Sequence, residues 1–169
     1  MQYSLEFTKQ LVEAADTLKG TGRSIEERKR AVLYLSLLSI EISLKYLLEK
    51  AGVFVKEIKK RRHDISALLL DLDGCEIETG IVLKKKFVPA TRIRSLVVNP
   101  AFAGATVGSL LEAELKGASK YPNEVRYGAL PKHFPPDLML ECAVKVIEWA
   151  EWHAIRFGFK AQPSSTVIE

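Results

Sequence analysis

The stretch from Ala31 to Leu48 constrains this chain more than any other. Ala31, Val32, Leu33, Leu35, Leu37, Leu38, Ile40, Ile42, Leu44, Leu47 and Leu48 leave almost no side of a helix polar. A helix that is apolar all round has to be enclosed, as the central post of a bundle or as a core helix with a dimer face. A membrane span is the other structure open to such a run, but Glu41, Lys45 and several serines interrupt it. The ends are marked as well. Ser24 stands three residues before Glu27, the spacing of a capping box, and Gly52 follows Lys50 where a C-cap belongs. The pattern predicts one helix from about 25 to about 50.

The flanking segments read as further helices. Tyr3, Phe7, Leu11, Ala14, Ala15 and Leu18 recur at spacings of three and four, which predicts an amphipathic helix over 3–19 ended by Gly20. Lys56 to Arg62 is a basic connector. Asp64 then suits the N-cap of a short apolar helix, Ile65 to Leu72, stopped by Gly74. Pro135-Pro136 with Asp137 opens a last helix that runs to about Phe157, with Glu141, Lys145 and Glu148 on its solvent side. Residues 76–107 are ambiguous between a hairpin (Ile81–Val88 with Thr91–Val98) and a helix over 76–87. The expectation is an all-α, up-and-down bundle of four to five helices with an irregular or hairpin-like insertion around 76–107. Residues 1–158 form one domain, and 159–169 a polar tail.

Composition narrows the function classes. Apolar residues are 47% and charged residues 27%, so the chain folds around a core. Cys75 and Cys142 build no disulfide framework and no paired ligand spacing. His63, His133 and His153 are scattered, no Gly-rich phosphate loop or nucleophile elbow occurs, and neither a metal nor a cofactor is expected. The N-terminus lacks a basic segment followed by an apolar one, so a cytoplasmic setting with free thiols is the expectation. A net charge of +4 is compatible with an anionic ligand.

Glu41 to Gly52, His63 to Leu69, and Tyr121-Pro122 with Arg126-Tyr127-Gly128 stand in that order along the chain, and together they resemble the HEPN family of small helical domains. Glu41-Ile-Ser-Leu-Lys45-Tyr-Leu-Leu-Glu-Lys-Ala-Gly52 is similar to the end of that family's second helix. His63-Asp64-Ile-Ser-Ala-Leu-Leu69 is similar to the start of its third. Tyr121-Pro122 with Arg126-Tyr127-Gly128 stands ahead of the last helix, where relatives carry an Arg-Tyr-Pro segment. The resemblance implies a helical bundle, commonly a homodimer, associated with nucleotides, RNA or a nucleotidyltransferase-type protein partner, often in toxin–antitoxin or defence settings. Family members that cut RNA carry an Arg, four to six residues, then a His. Arg126 and His133 have that count, although Gly128 and Pro131 between them prevent a shared helix face.

The residues have their own chemistry. Glu41 and Lys45 are one turn apart, either a solvated stripe through the helix or a pair facing a pocket, where each charge needs a partner. In the irregular stretch around Lys120, Tyr121, Arg126, Tyr127 and His133, Arg and Lys suit phosphate oxygens and a Tyr ring suits a base. Alternatively the tyrosines pack the loop down while Arg126 pairs with Glu124 or Glu41. Lys56–Arg62, Lys84–Lys86, Arg92 and Arg94 add a phosphate-attracting surface if they converge, and are plain solvated charge if they do not. The leading expectation is therefore a HEPN-like domain binding a nucleotide, RNA or a partner protein, with Glu41, Lys45, Lys120, Tyr121, Arg126 and Tyr127 at the site. The alternative is a metal-independent ribonuclease in which Arg126 steadies the phosphate and His133 moves the proton. A third is a structural interaction module. A homodimer through the second helix is expected, because that helix offers more apolar surface than one small bundle covers.

Overall fold

The computed structural model describes residues 1–21, 24–81, 84–101, 104–112, 125, 135–155 and 158–161. Four helices open the chain: α1 (Leu5–Lys19), α2 (Ile25–Lys50), α3 (Val55–Lys60) and α4 (Ile65–Leu72). The strands β1 (Cys75–Ile81) and β2 (Lys84–Pro89) follow, then a 3₁₀ helix over Ala90–Ser95 and the short α5 (Val107–Glu112). The helix α6 (Pro136–Ala150) ends in a π turn, Glu151–Ile155, before β3 (Gly158–Ala161). The chain is mostly helical, in keeping with the expected class, and the described residues carry one small sheet besides.

Local signals account for the helix ends. Ser4 Oγ accepts the Phe7 amide and Ser24 Oγ the Glu27 amide, while the Glu27 carboxylate turns outward to Arg30 at 2.9 Å. Only half of the capping box therefore forms. At the far end of α2, Gly52 takes φ 92°, and the Gly52 and Val53 amides donate to the Glu49 and Leu48 carbonyls. This is a Schellman closure, which needs a left-handed residue at that place.

α1 and α6 lie along α2 and touch each other, and α4 packs on α2 from another side. Leu33, Leu37, Ile40, Leu44, Leu47 and Leu48 of α2 are fully enclosed, with Ile65, Leu68, Leu69 and Leu72 of α4 in the same core. α2 passes the length and hydropathy test for a membrane span, and 72% of its apolar window is buried inside the protein. Serines let α1 come close. Ser36 and Ser39 are buried, and Ser39 Oγ donates to the Thr8 carbonyl at 3.0 Å.

The structure departs from the sequence reading at four places. The buried face of α1 is Leu5, Thr8, Leu11 and Ala15, and Phe7 stays 46% exposed. The expected face is rotated because Thr8 bonds its own hydroxyl to the Leu5 carbonyl and can be buried without loss. Lys56–Lys60, read as a connector, winds into α3. In the ambiguous region, β1 pairs antiparallel with β2 from Glu76↔Pro89 to Ile81↔Lys84, so the hairpin starts at Cys75. Residues 91–95, expected as its second strand, are 3₁₀. β3 then pairs on the other edge of β1, Cys75↔Ala161 to Glu78↔Gly158, giving the order β2-β1-β3. Part of the expected polar tail is thus a strand.

Candidate functional site

The C-terminal half of α2 and the α3–α4 turn bring three ionisable side chains together. Glu41 and Lys45 are 3% and 7% exposed, and Lys45 Nζ stands 2.6 Å from Glu41 Oε1. The pair faces inward, so of the two sequence readings the solvated stripe is excluded. An ammonium has three N–H donors and, once buried, needs partners for them. Here Nζ also donates to the Arg62 carbonyl at 2.5 Å and lies 5.8 Å from the centre of the Tyr3 ring. Arg62 has φ 49°, a left-handed conformation uncommon for a side-chain-bearing residue. That twist belongs to the turn whose carbonyl Lys45 holds.

The second Glu41 oxygen takes His63 Nδ1 at 3.0 Å. A carboxylate only accepts, so Nδ1 carries the hydrogen. Glu41 has a 4% exposed side chain while His63 is 52% exposed, so the carboxylate orients from inside an imidazole that reaches the surface. With Nδ1–H on the carboxylate, the outer Nε2 of the neutral ring is an acceptor, and it donates to a phosphate only when the ring carries a second proton. Its neighbour Asp64 plays the expected N-cap role, accepting the Ala67 amide at 2.9 Å. Sequence reasoning kept His63 out of the site, because its partner is 22 residues away and no local spacing announces it.

Glu49, one turn beyond Lys45, accepts the Gln2 and Tyr3 amides at 2.7 and 3.0 Å, which ties the N-terminus over this end of α2. Burial raises the Tyr3 phenol above its ordinary pKa, and Glu49 and Glu41 add to the rise. Tyr3 therefore stays protonated.

Lys56, Lys59, Lys60, Arg61 and Arg62 are exposed around the same turn. Lys60 pairs with Glu57, and Arg61 forks onto Asp71 with both contacts at 2.7 Å. Lys56, Lys59 and Arg62 form no ion pair among the described residues. Arg92 is exposed on the 3₁₀ turn, and Arg94 is bound to Asp73 and Glu112. It serves as a clamp between α4, the 3₁₀ turn and α5, so it does not join the basic turn.

Lys120, Tyr121, Arg126, Tyr127 and His133 lie outside the described residues. Their described neighbour Val125 is buried, and its carbonyl takes the Arg30 fork at 3.1 and 2.8 Å. Among the described residues no three His, Cys, Asp or Glu side chains gather where they could hold a metal ion. Both thiols are buried. Burial pushes Cys75 up to about 11, with Asp71 and Asp73 adding, and Cys142 up to about 12, so neither is a thiolate near neutral pH. His153 stacks on Trp149 at 4.3 Å. Burial lowers its pKa, although its bond to the Trp149 carbonyl works the other way. No protein-family model, curated protein or solved structure matches this chain.

Proposed function

We propose that this chain is a HEPN-like up-and-down helical bundle of the cytoplasm that binds nucleotide or RNA phosphates at the α3–α4 turn. The observation that supports the reading most is the anchoring of that turn. Lys45 holds the Arg62 carbonyl and Glu41 holds the His63 ring, so a buried ion pair fixes a surface segment carrying Lys56, Lys59 and Arg62. Fixed cations bind phosphate better than tethered ones, because less side-chain and backbone freedom is lost on binding. The buried pair is then a support for the site, and the ligand meets the basic turn and the outer edge of His63.

The test is fluorescence anisotropy with a labelled single-stranded RNA, competed by ATP. The wild-type chain is expected to bind, with affinity falling as salt rises. Lys59→Glu with Arg62→Glu is expected to weaken binding by about tenfold or more and to flatten the salt slope by about one unit per lost phosphate contact, at an unchanged melting temperature. Equal affinity of the double variant and the wild type would remove the proposal.

The same reading carries a homodimer. Ala31, Leu35, Leu38 and Ile42 are only half-buried, at spacings of four, three and four along α2, a strip that a symmetric partner would cover. Light scattering at micromolar concentration is expected to give twice the 18.9 kDa chain mass. Leu38→Glu is expected to return it to one.

A further inference from the structure

The outer side of α1 and α6, away from α2, holds a groove of about 360 Å³. Val12, Val144 and Ile147 form its floor, and Glu13, Glu148 and Glu151 stand on its rim. The cation in the lining is Lys9, which is already salt-bridged to Glu151 and to Glu6. Glu148 holds Lys145 at 2.8 Å, whereas Glu13 has no ion pair among the described residues. The two helices run against the charge of the molecule. α1 and α6 with Glu151 carry seven carboxylates and three lysines, in a chain whose net charge is +4.

We propose that this groove is the docking site for a basic amphipathic helix of a protein partner. The shape argues for a helix. Two packed helices leave a furrow along their line of contact, and a third helix can lay an apolar ridge into it. The rim argues for the charge. An apolar floor whose rim sets three carboxylates against Lys9 and Lys145, and leaves Glu13 without an ion pair among the described residues, favours an occupant that buries Leu-like side chains and keeps Lys or Arg at the edges. An RNA or nucleotide phosphate is repelled by the same carboxylates, so the groove is independent of the basic turn at the α3–α4 junction.

The experiment uses the full chain and two labelled peptides of ~18 residues, each ~27 Å long as a helix. One is built from Leu and Lys, and its twin has Glu for every Lys. The Lys peptide is expected to bind and the Glu peptide to bind at least about tenfold more weakly. Glu13→Lys with Glu148→Lys is expected to weaken the Lys peptide by about tenfold or more while the circular dichroism melt stays in place. Should that variant fail to fold, Glu13→Gln with Glu148→Gln carries the same test with a smaller expected loss. No binding of the Lys peptide, or equal binding by the variants, overturns the proposal. Self-association of the wild-type chain that Glu13→Lys with Glu148→Lys abolishes also overturns it, since the groove would then receive a second copy.

Discussion

Lys45→Met is expected to lower the unfolding free energy by about 3–5 kcal/mol, read from urea denaturation at neutral pH. The pair costs desolvation twice when it is intact, and its mutual attraction roughly offsets that cost. Removing the ammonium takes from Glu41, at 3% exposure, the counter-charge that stands 2.6 Å from its carboxylate. It also releases the Arg62 carbonyl, so the α3–α4 turn loses its tether. The double change Glu41→Leu with Lys45→Met is expected to recover much of the loss, because both charges of the buried pair leave together. A single variant as stable as the wild type would mean that water reaches the pair and that the site is open from below. The outcome bears on function too, since a turn released from Lys45 should bind phosphate more weakly even with all its cations present.

The second large effect separates neighbours in sequence. Leu69→Ala is expected to cost about 2–5 kcal/mol, while Leu70→Ala stays within about 0.5 kcal/mol of wild type. Leu69 is fully buried among α2 and α4 side chains, whereas Leu70 is 62% exposed. Deleting buried methyl groups loses their transfer free energy and leaves a cavity that the packed surroundings fill only in part. Deleting exposed ones does neither. Similar losses for the two would place α4 in a different rotation against α2 and would move the Asp64 cap and the His63 ring with it.

A further contrast lies between acidic and basic surfaces. The basic turn Lys56–Arg62 and the acidic furrow between α1 and α6 occupy separate places, so on the two proposals an anionic ligand and a cationic protein segment would not compete. Charge reversal at Glu13 and Glu148 and charge reversal at Lys59 and Arg62 should then act on different ligands. Crossed effects would show that the two surfaces communicate.

Where helices begin and end was legible in the sequence, because those signals act within about four residues. Ser24, Gly52, Asp64 and the Pro135-Pro136 pair stand where α2, α4 and α6 start or stop. The all-round apolar character of 31–48 also required a central helix, and α2 is one. Tertiary structure alone decided the rest. Periodicity gives α1 a helical period but does not choose between a face through Phe7 and one through Thr8, since a Thr that bonds its own backbone is as easy to bury as a small apolar residue. The strand at 75–81 rests on its hairpin with 84–89, which is local, and on a second edge supplied by residues 158–161, roughly 80 positions later, which no local pattern records. The same holds for the site. Glu41 and Lys45 announce each other by spacing, but His63 reaches Glu41 only because α3 and the left-handed Arg62 in the turn after it fold the chain back across the end of α2. Backbone geometry and side-chain burial between distant segments, and not the identity of adjacent residues, place that imidazole on its carboxylate.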